Sequence, residues 1–176
     1  MSTQFNAYLV FGPESSGTRM ITQALCAYGC AGSFQHEQEF DSFLLPPPVQ
    51  HIVWRRSFPH AKQWPVTESF VNAVQNAGFT AVFVIVSRDF HSAVQSQIKW
   101  GHVQTEQQAK ANIRKAQTMI MGAVSRYSEI EYRPITYLAF IQYWPSIMQN
   151  MFPELKQTSP FSTFNGNDKW HLTQQH

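Results

Sequence analysis

Two glycines near the N terminus frame a segment whose residue types suit anion binding. Residues 11–20 read FGPESSGTRM, and four residues separate Gly12 from Gly17, as in a phosphate-binding P-loop. Such a loop binds an anion through consecutive backbone N–H groups and the N terminus of the following helix. The ATP-binding version continues with lysine and then serine or threonine, whereas Thr18 and Arg19 follow Gly17 here. The segment predicts a phosphate site without the kinase lysine; the alternative is an ordinary tight turn.

A second group of polar residues follows the most apolar run of the chain. Residues 80–87, TAVFVIVS, are typical of a parallel strand that is covered on both faces. Arg88 comes directly after this run, and Ser96 lies eight residues further on, in a predicted helix.

These two motifs, in this order, resemble those of the PAPS-dependent sulfotransferases, which have a P-loop fold related to that of nucleotide kinases. The resemblance rests on SSGT at residues 15–18 and on the Arg88/Ser96 pair, and it covers most of the chain except about residues 32–50. It implies that Arg88 and Ser96 bind the 3′-phosphate of the donor, PAPS. It also implies that the donor's 5′-phosphosulfate is held by the loop residues Gly12, Ser15, Ser16, Gly17 and Thr18, with Arg19 beside them.

The missing lysine is compatible with sulfuryl transfer. A sulfuryl group carries less negative charge than a terminal phosphoryl group, so backbone donors and one or two cations suffice to stabilise its in-line transfer. We therefore expect PAPS as the donor, no metal, and a hydroxyl or amine of a small-molecule or carbohydrate acceptor. Gly17 is expected to tolerate substitution least, because a Cβ there would crowd the bound phosphate.

The chain departs from the family at three positions. The family places a lysine or arginine directly before Ser-Gly-Thr, where this chain has Ser15, so Arg19 and Arg55 are the candidates for that charge. The segment IVWRRSFPH resembles the family's Lys-Thr-His-Leu-Pro strand end, with Arg55 at the lysine and Ser57 at the histidine. A later Tyr-Glu-Asp-Leu segment is replaced by LAFI at residues 138–141, which has no acidic residue.

Sulfuryl transfer also needs a general base. His60, just after the second predicted strand, is the first choice because the pKa of histidine suits proton transfer. Glu37 and His36 come next, because the resemblance extends to carbohydrate enzymes that use a glutamate from the corresponding segment. In the tail, Lys169 is a candidate for the 3′-phosphate and Trp170 for the adenine. The alternative for each of these residues is a solvated surface position.

The elements that must position these residues alternate along the chain. Apolar runs predict strands at residues 6–11, 51–58, 80–87 and 133–138. Helical periodicity predicts helices at 18–28, 67–77, 91–100 and 105–127, and a last helix with Pro145 in its first turn. This order predicts one domain over residues 1–176, a three-layer α/β/α fold with a mostly parallel sheet.

Composition restricts the remaining functions. The formal net charge of +2 is too small for a nucleic-acid-binding surface. No apolar run has the length of a membrane span, and Cys26 and Cys30 fit buried thiols, so we expect a soluble, cytoplasmic protein. Two alternatives to the sulfotransferase stay open: a P-loop nucleotide or small-molecule kinase, and a relative that binds nucleotide without catalysis.

Overall fold

A parallel sheet organises the computed structural model, which describes residues 4–33, 45, 47–60 and 62–167. Strands β1 (Asn6–Pro13), β2 (Ile52–Phe58), β3 (Thr80–Ser87) and β4 (Tyr132–Thr136) pair in the order β2-β1-β3-β4, and every pairing is parallel. The predicted mostly parallel sheet is therefore confirmed. The candidates His36, Glu37, Lys169 and Trp170 lie outside the described residues.

Helices cover both faces of this sheet. The helices are α1 (Thr18–Ala27), α2 (Thr67–Asn76), α3 (Phe90–Lys99), α4 (Glu106–Arg126) and α5 (Tyr137–Met151). Alternate residues of β1 enter different cores: Tyr8 and Val10 pack with α1 and α5, whereas Leu9 and Phe11 pack with α2 and α4. Side chains of α3 pack against α4 in a smaller third cluster. This arrangement is the predicted three-layer α/β/α fold.

Most element boundaries follow the local sequence signals. The predicted start of α4 is confirmed: the Thr105 hydroxyl accepts a hydrogen bond from the Gln108 amide at 3.2 Å. The predicted strand at 133–138 is too long, since β4 ends at Thr136 and α5 begins at the next residue. The predicted last helix, with Pro145 in its first turn, forms the second part of α5. A kink at Tyr143, whose φ of −131° is non-helical, separates two helical segments, and Pro145 lies in the first turn of the second segment.

In the part of the chain that the structure describes, no helix has both the length and the apolar character needed to cross a bilayer.

A charged cluster ties the amino-terminal ends of β1 and β4 to the turn after α5. The buried Arg133 donates from Nη1 to Glu154 Oε1 at 2.8 Å and from Nε to Glu131 Oε1 at 2.8 Å. The Tyr8 hydroxyl donates to the same Glu154 oxygen. The Arg133 guanidinium also lies 5.0 Å from the ring centroid of Phe152. Each charge in this buried region therefore has a partner, which keeps its desolvation from destabilising the fold.

The Glu154 carboxylate is the acceptor on which this cluster converges. Burial favours its neutral form, but hydrogen bonds from Tyr8 and Arg133 outweigh burial and hold the pKa of Glu154 below its ordinary value of 4.5. A carboxylate with a lowered folded pKa stabilises the fold above the unfolded pKa. That stabilisation is lost as the pH falls through the folded pKa.

We predict that Glu154→Gln lowers the free energy of unfolding at pH 7 by about 1–3 kcal/mol, because Arg133 loses its ionised partner. The matched control is Glu131→Gln, which removes the other, mostly exposed, partner of Arg133 and should cost less than about 1 kcal/mol. Urea unfolding at several pH values measures both variants. The difference between wild type and Glu154→Gln should shrink below pH 4.5; a difference that does not change with pH would contradict the assignment.

Candidate functional site

The glycine loop leaves the central strand at the carboxyl edge of the sheet. β1 is flanked by β2 and β3, so the loop has a neighbouring strand end on each side. The Glu14 amide donates to the Phe58 carbonyl at the end of β2, at 3.1 Å. Ser15 and Gly17 have φ values of 69° and 100°, and this left-handed backbone turns the chain so that α1 starts at Thr18. The strand–loop–helix context expected for a phosphate-binding loop is therefore present.

Two amides at the start of α1 are positioned for an anion. Among the residues that the structure describes, the amides of Gly17 and Thr18 have no hydrogen-bond partner. They lie at the positive end of the helix dipole. Ser16 was also expected among the loop residues that hold the anion, but its amide donates to the Pro13 carbonyl at 3.0 Å. Ser16 retains its hydroxyl, which is buried and has no partner among the described residues.

Both loop glycines are enclosed by the protein itself. A Cβ on Gly12 would contact the Ser16 hydroxyl and would lie 2.6 Å from the Val86 carbonyl oxygen. A Cβ on Gly17 would run into the ring of Tyr137. The crowding that we expected from a bound phosphate at Gly17 therefore already comes from a side chain of α5.

Arg88 reaches the loop from the end of β3. Its Nη1 donates to the Ser15 carbonyl at 3.0 Å, and its Nε donates to Asn167 Oδ1 at 2.6 Å. The guanidinium lies 4.7 Å from the ring centroid of Tyr137. Burial lowers the pKa of Arg88 from its ordinary value. Ser96, the other residue of the predicted pair, is buried on α3 with 4% of its surface exposed.

Residues that the sequence did not single out complete the surroundings of the loop. Gln97 on α3 donates from Nε2 to the Glu14 carbonyl at 2.9 Å, and His102 Nδ1 lies 3.3 Å from Glu14 Oε1. The Tyr137 hydroxyl accepts from the Gly166 amide at 3.0 Å. Gln97 falls three and four residues after two buried positions of α3, so helical periodicity was a signal for its burial. Nothing in the sequence indicated the contacts of Tyr137 and Asn167 with Arg88.

The remaining candidates lie on β2, just after it, and on α1. Arg55 is half-buried on β2 and pairs in register with Val10 of β1. His60 follows β2 and is half-buried, and its backbone exchanges two 2.8 Å hydrogen bonds with Gln63. Arg19 is exposed in the first turn of α1. His60 therefore lies beyond the carboxyl end of β2, Arg55 lies at the middle of that strand, and Arg19 is placed by the first turn of α1.

A scan of the sequence against models of known protein families finds no match, and a search of curated proteins finds no significant match either.

We predict that Gly17→Ala destabilises the protein more than Gly101→Ala. Both glycines have positive φ, but a Cβ at Gly101 would meet no atom within 4 Å, so strain of about 1–2 kcal/mol is the only cost there. At Gly17 the clash with Tyr137 is added, for a total of about 2–5 kcal/mol. Chemical denaturation measures both losses, and equal losses would show that the Tyr137 ring does not restrict this position.

Proposed function

We propose that this protein is a PAPS-dependent sulfotransferase, with the loop at residues 12–18 as the site for the 5′-phosphosulfate. The observation that carries the proposal is the pair of unpartnered amides, Gly17 and Thr18, where the glycine loop of the central strand enters α1. Two N–H groups at a helix N terminus form a site for an anionic oxygen. The Ser16 hydroxyl is a further donor in the same loop.

The proposed reaction transfers a sulfuryl group without a metal. The oxygen or nitrogen of the acceptor attacks the sulfur, the bond between sulfur and the bridging phosphate oxygen breaks, and PAP (adenosine 3′,5′-bisphosphate) leaves with the electron pair. Loop amides, with Arg55 and Arg19 as the candidate cations, stabilise the negative charge that develops on the leaving phosphate. The acceptor's proton passes to a general base, for which His60 is the candidate within the described structure.

Arg88 and Ser96 are proposed to hold the donor's 3′-phosphate. Two guanidinium nitrogens of Arg88 bond to Ser15 and Asn167, and Nη2 has no hydrogen-bond partner among the described residues. A guanidinium that is already oriented on two sides loses little side-chain entropy when its third nitrogen binds a phosphate oxygen. Ser96 lies on the helix that follows Arg88 and is the second proposed contact.

The kinase alternative has weaker support from this loop. Nucleotide kinases and ATPases of this type place a lysine on the transferred phosphates, and Thr18 occupies that position here. The non-catalytic alternative is favoured by Ser15 and Ser57, which stand where the family has a cation and a histidine.

The proposed acceptor is a small molecule or a carbohydrate. The proposed compartment is the cytoplasm, where Cys26 and Cys30 would stay as the free thiols of the structure.

We predict that PAP, without metal, raises the melting temperature by about 5–10 °C at 100 times its Kd. Adenosine 5′-phosphate at the same concentration should stabilise less, because it lacks the phosphate proposed for Arg88 and Ser96. The thermal-shift measurement compares both ligands with ATP plus Mg²⁺. Stabilisation by Mg-ATP alone would favour the kinase and overturn the sulfotransferase proposal.

A second measurement separates an enzyme from a binding module. With PAPS and a panel of small-molecule and sugar acceptors, we expect turnover by the wild type and a fall of about 10²–10⁴-fold for His60→Ala. PAP affinity should be unchanged in that variant, since the proposed base contacts the acceptor and not the nucleotide. His91→Ala, which removes an exposed histidine of α3, is the control and should keep wild-type turnover. Full activity of His60→Ala would remove His60 from the mechanism.

A further inference from the structure

Two successive carbonyl groups of the loop are held by side chains from one neighbouring segment of the chain. The Glu14 carbonyl accepts from Gln97 Nε2 at 2.9 Å, and the Ser15 carbonyl accepts from Arg88 Nη1 at 3.0 Å. Arg88 lies between β3 and α3, and Gln97 lies in the last turns of α3. The loop is therefore fastened at two adjacent peptide groups to the same structural element.

These two bonds fix the two peptide planes that precede the Gly17 and Thr18 amides proposed to bind the ligand. Each peptide plane is rigid, so the direction of a carbonyl fixes the direction of the amide in the same plane. The Glu14 carbonyl shares its plane with the Ser15 amide, and the Ser15 carbonyl shares its plane with the Ser16 amide. Donors outside the loop hold these carbonyls, while the chain turns at Ser15 and Gly17 to present the next amides.

The Gln97 side chain has one hydrogen bond within the described part of the chain, and this bond is the contact that can explain its burial. Its side chain is fully buried, and its Oε1 has no hydrogen-bond partner among the described residues. A buried amide that leaves its oxygen unpaired lowers stability relative to an apolar side chain of the same shape. The bond from Nε2 to the loop carbonyl is the contact that gives a glutamine, and not a methionine or leucine, a role at this position.

We propose that Gln97 is a positioning residue, which holds the loop in its anion-binding conformation through the Glu14 carbonyl. The inference rests on the proposed function, since it assigns Gln97 to the same anion site. Gln97 itself does not contact the ligand. Its effect passes through the loop backbone, so it should change ligand affinity without a change in which groups of the nucleotide are recognised.

The test compares Gln97→Met with Gln95→Met. Both substitutions place methionine on α3, but Gln95 is half-buried and has no hydrogen bond to the loop. Hydrogen exchange of the bonded Glu14 and Ser16 amides without ligand measures the loop conformation, and titration with inorganic sulfate and with PAP measures the site. For Gln97→Met we expect faster exchange in the loop, and affinities for both ligands that are about 5- to 10-fold weaker. Gln95→Met should match the wild type in both measurements.

The outcomes distinguish this inference from the proposed function. Wild-type loop exchange and wild-type affinities in Gln97→Met would overturn the role of Gln97, as would a general loss of stability that spares the loop. A wild type that binds sulfate but not PAP would overturn the sulfotransferase and leave Gln97 testable with sulfate, whereas a wild type that binds neither would overturn both. If Gln97→Met does not fold, Gln97→Asn retracts the amide by one methylene, and the same loop-specific changes are expected.

Discussion

The left-handed turn that ends β1 is the constraint on which the candidate site depends. β1 is the strand with a neighbour on each side, and its side chains fill both cores, so its direction is fixed by the whole domain. A chain that leaves such a strand and enters a helix at once has to reverse within a few residues. Positive φ at Ser15 and Gly17 makes that reversal, and it sets the N terminus of α1 at the edge where β2 and β3 also end.

The surroundings of the turn come from distant parts of the chain. Tyr137 fills the space beside Gly17, Arg88 and Gln97 hold two carbonyls, and the end of β2 receives the Glu14 amide. All of these contacts are made by the protein's own residues, and they restrict the orientation of the loop. For the proposed anion, a loop ordered in this way would cost less free energy on binding than a loop that must first be ordered.

The opposite edge of the sheet carries a different type of polar cluster. Arg133, Glu154 and Tyr8 satisfy one another there and connect β1, β4 and the turn after α5. At the carboxyl edge, by contrast, the Gly17 and Thr18 amides and the Ser16 hydroxyl lack partners within the described chain. A polar group left unsatisfied by the protein indicates a ligand or water, so the contrast between the two edges supports a binding role for the loop.

The sequence alone determined the local elements, because their signals lie within a few residues of one another. The apolar run of β3, the cap at Thr105 and the glycine spacing of the loop each identified an element, and strand–helix alternation identified the parallel α/β/α class. The sequence misplaced the start of α5, because packing decides the switch from β4 to helix at Tyr137. Tyr137 is buried against the loop, and its hydroxyl is hydrogen-bonded to the segment at residues 164–167.

Only the tertiary structure could show that Arg88 bonds to the Ser15 carbonyl, that the Ser16 amide already has a partner, and that Gln97 donates to the Glu14 carbonyl. The bonds from Arg88 and Gln97 to the loop join residues 73 and 83 positions apart, and no pattern within one strand or helix encodes such distances.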